Sequence, residues 1–354
     1  MKIIHTADIH LGSKMESKFP KEKADVRKKE VRSTFLRLID YAASNGVKVV
    51  LLSGDVFDSD RPFKKDKEFF YGAIRSNPDI DFLYLCGNHD GMENYTTELP
   101  NLKTFGEEWT VYEYGNIAIW GIEMTGGNAV SLYTSLKADP DKINIVMLHG
   151  TACDSTGQNL VNLAKMRNRN VDYLALGHIH SYGGIKALDD RGVWAYSGCL
   201  EGRGFDETGE KGFILLDVGE KVRGEFIPFA KRKIADYSVD LTGLKDFYEC
   251  KKAVEAAIDC SASDIVRVVL TGAVEFDDSD LAEDVEKALD GKYFFLSAKN
   301  KTENAVHVEK ILGEISLRGE FARIVTKSDM DAGEKGKVLA MGLKALAGKG
   351  GDIL

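Results

Sequence analysis

The sequence predicts an α/β protein of two domains, followed by a mostly helical C-terminal segment. Three observations carry that expectation. Short apolar runs at residues 3–7, 47–52, 82–86, 143–148 and 173–176 alternate with stretches of helical periodicity, the order that builds a sheet whose strands are joined through helices. Each of these runs gives way at its C-terminal end to Asp, Asn or His, and in α/β sheets ligand sites lie at those ends. After Lys231-Arg232-Lys233 the pattern changes to a smaller α+β unit. The boundaries are 1–232, 233–300 for the α+β unit and 301–354 for the helical segment; 354 residues exceed what one ordinary core accommodates.

Taken in order, Ile3–Ala7 reads as a strand, with Asp8-Ile9-His10-Leu11-Gly12 as its loop. Residues 13–25 are polar, and Val31, Phe35, Leu38, Ile39 and Ala42 then recur at helical spacing, with Asn45-Gly46 as the cap. Val47–Leu52 is the next strand, running through Ser53-Gly54 straight into Asp55. Lys64–Ser76 is a helix with Phe69, Phe70 and Ile74 on its apolar side, and Phe82–Cys86 is a strand followed by Gly87-Asn88-His89-Asp90. Val111–Tyr114 and Ile117–Trp120 form a hairpin across Gly115-Asn116. Ile143–Leu148 ends at His149-Gly150, a helix carries Leu160, Leu163 and Ala164, and Tyr173–Leu176 ends at Gly177-His178-Ile179-His180. Ile185–Leu188, Val193–Ser197, Phe213–Val218 and Val222–Phe229 read as one antiparallel run closing the domain. Beyond it come strands near 237–241, 265–270 and 293–297, helices near 244–258 and 279–289, and a helical stretch ending in a Gly-rich tail.

Composition narrows the class. A hydrophobic share of 44% with 29% charged residues fits a soluble globular protein. There is no long uncharged apolar run, so no membrane span is expected, and the N-terminus enters a strand without a signal-peptide pattern. Five cysteines, an odd number without C-x-x-C, argue against a disulfide framework or a structural zinc site and point to a reducing cytoplasm. A net charge of −9 gives no global support for nucleic-acid binding. The charge is uneven, however: residues 1–40 carry ten Lys/Arg against six Asp/Glu, and residues 272–291 carry eight Asp/Glu against one Lys. Both fit solvated helix faces, and the first also fits a basic face.

The chemistry concentrates at the strand ends, in Asp8, His10, Asp55, Asn88, His89, His149, His178 and His180. Five of the seven histidines lie there, leaving His5 and His307 outside. A lone His after a strand is more often a hydrogen-bonded structural residue; five such loops together are not explained that way. Two divalent cations about 3.5–4 Å apart can hold both an attacking water and a phosphoryl group. Holding them so close calls for an anion between them, and Asp55 is the central candidate. The donors are oxygen and nitrogen without thiolate, which suits Mn, Fe or Zn and disfavours a closed structural zinc. The D-x-H and H-x-H spacings place alternate side chains of an extended segment on one side.

The ordered set D-x-H-x-G (8–12), G-D-x-x-D (54–58), G-N-H-D (87–90), H-G (149–150) and G-H-x-H (177–180) resembles the calcineurin-like metallophosphoesterase family, over residues 1 to about 230. Within it, His5–Gly12, Tyr196-Ser197-Gly198, Gly204-Phe205-Asp206-Glu207 and Lys211-Gly212-Phe213 look like the SbcD-like nucleases of bacterial double-strand-break processing. The resemblance implies a four-layer αββα sandwich, with the smaller C-terminal α+β domain in the place of a DNA-capping domain. It implies two divalent metal ions, Mn first, with Fe, Zn or Mg as alternatives. It implies hydrolysis of DNA phosphodiesters, as exonuclease and single-strand endonuclease in DNA repair, beside an SbcC-type ATPase and as a homodimer. One metal would be held by Asp8, His10, Asp55 and His180, and the second by Asp55, Asn88, His149 and His178. His89 would contact the scissile phosphate or protonate the leaving oxygen, Asp90 would orient His89 through its ring, and a metal-activated water would be the nucleophile. Asp58 stands where archaeal and eukaryotic relatives usually have His and many bacterial ones Asp. It fits a turn carboxylate, the alternative being a hold on His10 or on a metal-bound water.

Two rival functions stay open. A phosphodiesterase for a small nucleotide or other phosphoester keeps the metals, and the acidic balance leans that way, whereas the additional domain leans against it. A non-catalytic binding module on the same fold predicts lost ligands, yet all seven positions and His89 are filled. Lys165, Arg167 and Arg169 fit a solvated helix face as well as a DNA backbone track, Phe205 fits core packing better than base stacking, and Leu339, Leu343 and Leu346 fit docking on their own domain better than on a partner coil.

Overall fold

The computed structural model describes residues 1–92, 98–274, 276, 279–304 and 311–346; His307 and the Gly-rich tail lie outside them. The chain forms two compact units, Met1–Ala235 with Ser263–Ile265, and Asp236–Ala262 with Val266–Leu354.

The first unit is built on two six-stranded mixed sheets. In one, β1 (Lys2–Thr6), β2 (Val49–Ser53), β3 (Asp81–Leu85) and β4 (Leu102–Thr104) run parallel. Beside β1 lie β13 (Gly212–Val218) and β14 (Val222–Pro228), each antiparallel to its neighbour. In the other, β6 (Ile117–Gly121), β7 (Ile143–His149), β10 (Tyr173–Gly177) and β12 (Val193–Tyr196) run parallel. Its edges are the antiparallel β5 (Thr110–Tyr114) and β11 (Lys186–Ala187). Alternation of period two sets the faces. Val49, Leu51, Leu83, Leu85 and Ile214 share one core cluster with Ile119, Ile145, Met147, Tyr173 and Ala175 of the other sheet. Every residue of β2 is buried, as expected of a parallel strand covered on both sides.

Helices α1 (Lys21–Ser44) and α2 (Lys64–Arg75) follow β1 and β2. Val31, Phe35, Leu38, Ile39 and Ala42 form the buried stripe of α1. Phe35 stacks on Phe70 of α2, with ring centroids 5.7 Å apart. Each such fully buried side chain contributes roughly 1.5–3 kcal/mol. Gly46, at φ +69°, turns the chain out of α1.

Two stretches differ from the sequence expectation. The helix expected around Leu160 is a strand, β9 (Leu160–Asn162), paired with β8 (Thr151–Cys153), and only α4 (Leu163–Met166) is helical. Asn162 caps that single turn by accepting from the Lys165 amide, and Arg167, extended at φ −61° and ψ 145°, ends it. The run expected to be uniformly antiparallel is divided: β11 and β12 close one sheet, with β12 parallel to β10, while β13 and β14 close the other. Strand spacing does not encode which sheet a strand joins.

In the second unit, β15 (Ile234–Asp240), β16 (Ile265–Thr271) and β18 (Phe295–Asn300) form a three-stranded sheet, and β17 (Ala273–Val274) pairs with β19 (Glu303–Asn304). Val254 of α5 (Phe247–Ala257) and Val285 of α6 (Leu281–Ala288) join Val266, Val268 and Leu270 in its core. Helices Leu317–Lys327 and Ala332–Leu346 pack through Ala322, Val325, Leu339 and Leu343, whereas Leu346 is exposed. Among the described residues no helix is long and apolar enough to cross a membrane.

Candidate metal centre

Because β1, β2 and β3 run parallel, as do β7 and β10, their C-terminal ends lie along the matching edges of two facing sheets. Asp8 and His10 follow β1, Asp55 follows β2, Asn88 follows β3, His149 ends β7, and His178 and His180 follow β10. The loops are tied together through their backbones: the Asp8 amide donates to the Gly54 carbonyl, and the His10 amide to the Asp55 carbonyl, both at 3.0 Å. Asp8, His10, Asp55 and His178 have φ of +53°, +50°, +53° and +99°. The segments are therefore not extended, as the spacing suggested; left-handed turns aim the side chains into one cleft. Each such residue costs on the order of 1–3 kcal/mol and is held by its surroundings, a pattern that clusters at functional sites.

The motif glycines are explained by close approach. A Cβ on Gly87 would lie 2.1 Å from Asp55 Oδ1, and one on Gly177 would lie 1.8 Å from the Ser53 carbonyl oxygen. Only hydrogen fits between these loops.

The side chains then meet in two groups of expected ligands, Asp8 with His10 and His180, and Asp55 with His149 and His178, and His10 also meets Asp58 and His89; in each group ligand-type atoms lie within 4.8 Å of one another. His10 Nε2 lies 3.2 Å from His180 Nε2 and 3.8 Å from Asp55 Oδ2. Asp55 Oδ2 is also 3.5 Å from His149 Nε2. Asn88 Oδ1 sits 3.1 Å from His149 Nε2 and 2.8 Å from His178 Nδ1. The His178 amide donates to both Asp8 oxygens, at 3.0 and 3.1 Å, and the His89 amide to Asp55 Oδ1 at 2.8 Å. Asp55 thus stands between the two groups, and all seven side chains singled out from the sequence are brought together.

His89 is exposed, with its ring centroid 5.0 Å from that of His10. Asp90 does not orient it, contrary to the expectation. Asp90 is buried and turned away: Oδ1 accepts from the Phe57 amide at 2.8 Å, and Oδ2 from Val56 and Gly87 at 3.0 and 3.2 Å. A buried carboxylate needs several donors, and three fixed amides supply what one exposed imidazole does not. Asp90 therefore ties the loop after β3 to the loop after β2. The partner of His89 Nδ1 is the Asp58 carbonyl, at 3.4 Å. The Asp58 carboxylate lies 3.1 Å from His10 Nδ1, without hydrogen-bond alignment, and 2.8 Å from Arg203 Nη1. Contact with His10 is thus the geometry it adopts, beyond a simple turn role.

The sequence reading gave no role to Arg203 or Glu207. His180 Nδ1 is 2.8 Å from Glu207 Oε1, and Arg203 binds Glu207 through Nη2 at 2.7 Å. The available signal was general: an imidazole that serves as a ligand usually has a carboxylate or carbonyl behind it, and Glu207 is one of two adjacent acids in a Gly-rich loop.

Electrostatics divide the residues. Burial pushes the Asp8 carboxyl up to about 6, against the pull of the His149 and His180 rings. Burial lowers His10 to about 4 despite Asp58. In Asp55 the upward push of burial is outweighed by His149 and His10, which hold it well below the usual carboxylate range. Burial would lower His149, but Asp55 beside it raises it to about 9. Burial and the charge of Asp55 push Asp90 up to about 6 despite its amide donors.

The donor set fits divalent cations. Two ring nitrogens face each other at 3.2 Å, and a carboxamide oxygen faces two more. These donor atoms converge on common points. Ser53 gives the tautomer needed: its carbonyl accepts from His149 Nδ1 at 2.9 Å, which leaves Nε2 free to coordinate.

Comparison with known proteins agrees. The DNA double-strand break repair protein Mre11 of Sulfurisphaera tokodaii is 26% identical over 239 residues, 61% of this chain and 59% of that protein. The uncharacterized metallophosphoesterase YhaO of Bacillus subtilis is 29% identical over 241 residues, 62% of this chain and 57% of that protein. The matched regions thus span under three-fifths of these relatives' lengths. A dimetal phosphatase from Danio rerio aligns with a TM-score of 0.40 at 11% identity, over 63% of this chain and 95% of that one. Residues 1–182 match the family described as Calcineurin-like phosphoesterase. With more than half of its length matched to that family and the site residues converging at the strand ends, the chain belongs to the calcineurin-like phosphoesterases.

Proposed function

We propose that the protein is a two-metal phosphodiesterase that hydrolyses DNA. The observation that carries the reading is the convergence of seven donor side chains from both sheets on Asp55, with an exposed imidazole, His89, beside them. On this reading Asp8, His10, Asp55 and His180 hold one cation, and Asp55, Asn88, His149 and His178 the other. When bound, such a pair activates water and neutralises charge on the phosphoryl group. The chain's own residues do the rest. Asp55 separates two positive charges. Ser53 and Glu207 fix the ring tautomers of His149 and His180. His89 directs Nδ1 to the Asp58 carbonyl, so in its imidazolium form Nε2–H is left to donate to a phosphate or leaving oxygen.

DNA as substrate is supported by the similarity to Mre11. The second reading, a phosphodiesterase for a small nucleotide or other phosphoester, is supported by the comparable similarity to YhaO and by the net charge of −9. By the same resemblance we assign the α+β unit to DNA capping and an SbcC-type ATPase as partner. Labelled single- and double-stranded DNA should be cleaved with Mn²⁺ and spared with a chelator. Turnover of bis-p-nitrophenyl phosphate without any DNA cleavage would overturn the nuclease reading and leave the second.

Cation uptake should also release protons. His149, raised to about 9, holds a proton at neutral pH that must leave before Nε2 can coordinate, whereas His10, at about 4, is already neutral. Cation affinity is therefore expected to fall as pH drops from 9, and further below 6, where Asp8 protonates. Titration calorimetry with Mn²⁺ at pH 7.5 in buffers of different ionisation enthalpy reads the proton directly; buffer-independent heats would contradict the assignment of His149.

A further inference from the structure

We infer that Arg203 is a positioning residue that sets one cation position and not the other, by clamping the two carboxylates behind His10 and His180. The inference rests on the two-cation reading and deepens it. The Arg203 side chain is 12% exposed. Its Nη1 donates to Asp58 Oδ1 at 2.8 Å, and its Nη2 and Nε donate to Glu207 Oε1 at 2.7 and 3.1 Å. Those same oxygens face the cation-position imidazoles: Asp58 Oδ1 lies 3.1 Å from His10 Nδ1, and Glu207 Oε1 lies 2.8 Å from His180 Nδ1. One planar fork therefore holds two carboxylates against two imidazoles. Glu207 Oε1 and Arg203 Nη2 lie 2.8 and 3.2 Å from His180 Nδ1, and Asp58 bounds the His10 ring without hydrogen-bond alignment. The clamp thus acts on the placement of the two rings, whose Nε2 atoms lie 3.2 Å apart.

Arg203 is itself held from behind. Its amide donates to Glu207 Oε2 at 2.7 Å. The preceding Gly202 carbonyl accepts from Arg27, a fully buried residue of α1 that also binds Glu201. Two buried arginine–glutamate contacts thus pin the segment 201–207, one on each side of Gly202. A guanidinium is suited to this because its donors sit in a rigid fork; an ammonium cannot serve two carboxylates on separate loops with the same geometry.

The other position is built differently. His149 Nδ1 is backed by the Ser53 carbonyl, whereas His178 turns Nδ1 itself into the site, toward Asn88 Oδ1. Neither contact involves a carboxylate or Arg203. Loss of Arg203 therefore disturbs Asp58 and Glu207, hence His10 and His180, and leaves the His149 and His178 supports in place. Loss of such outer contacts typically costs 10–100-fold in metal affinity.

The test is calorimetric titration of Mn²⁺ into the full chain and into Arg203→Met, Arg203→Lys and Glu207→Gln, each checked for a cooperative thermal melt. The wild type is expected to take two ions. Arg203→Met and Glu207→Gln are expected to weaken one of them by about 10–100-fold and to leave the other at its wild-type affinity. Arg203→Lys, which keeps the charge and so guards against a variant that does not fold, is expected to weaken the same ion. Two unchanged affinities, or two affinities falling together in the folded Lys variant, would overturn the inference while leaving the two-cation reading standing. A wild type that takes up no Mn²⁺ would instead overturn that reading, and the inference with it.

Discussion

Replacing Asp55 with alanine is expected to remove both cations at once and to bring phosphodiester hydrolysis down to background. The expectation follows from its place between the two groups. Its Oδ2 lies 3.8 Å from His10 Nε2 on one side and 3.5 Å from His149 Nε2 on the other. Its environment holds it ionised despite burial. Without that carboxylate two divalent charges a few ångströms apart have no anion between them, and at about 4 Å they repel by more than about 10 kcal/mol even at an effective dielectric of about 20. The backbone effect is separable. Asp55 keeps φ at +53° with its carbonyl bonded to the His10 amide, so asparagine, which tolerates that region, is the companion substitution. Both variants lose the negative charge that raises His149. Binding to the folded state alone stabilises by an amount set by ligand concentration over Kd. Mn²⁺ should therefore raise the melting temperature of the wild type and leave that of Asp55→Ala unmoved, with metal analysis after gel filtration reading near zero. One ion retained tightly by Asp55→Ala would show that the carboxylate is not shared.

How far this site was legible in the sequence depends on what kind of constraint each residue obeys. Strand ends were legible because parallel strands are nearly continuous apolar runs, and the residue after each run must emerge at the sheet edge. Val49–Ser53 running into Gly54-Asp55 is the clearest case. The seven donors were legible for the same reason. Their backbone geometry was not: D-x-H spacing suggests an extended segment, but Asp8 and His10 both sit at positive φ, held by the carbonyls of Gly54 and Asp55 in the loop after β2, some 45 residues away. Asp90 failed differently. Its neighbour in sequence is His89, and its partners are the amides of Val56, Phe57 and Gly87, two of them more than thirty residues back. Arg203 and Glu207 were beyond reach because their contacts with Asp58 and His180 span 145 and 27 positions. The helix expected at Leu160 gave way because an apolar spacing of three fits a turn of helix as well as a short strand, and the Asn162 cap starts the helix only at Leu163.

His89→Gln is expected to lower kcat on DNA by about 10²–10⁴-fold while both cations remain bound. The separation is possible because the two roles of residue 89 lie on different atoms. Its amide, which any residue supplies, donates to Asp55 Oδ1 at 2.8 Å and belongs to the scaffold. Its ring is exposed and makes one polar contact, 3.4 Å to the Asp58 carbonyl, so its loss should change stability by no more than about 0.5 kcal/mol. Proton donation and simple charge contact with the phosphate predict different substrate dependence. A DNA alkoxide must be protonated as it leaves, whereas p-nitrophenolate leaves unaided. If His89 is the acid, the loss in kcat should be large on DNA and small on bis-p-nitrophenyl phosphate. An equal loss on both would assign the ring to charge stabilisation of the phosphoryl group instead. Metal analysis showing fewer ions in His89→Gln than in the wild type would overturn both roles and make His89 a ligand, because the ring would then be holding a cation beside His10 and Asp58.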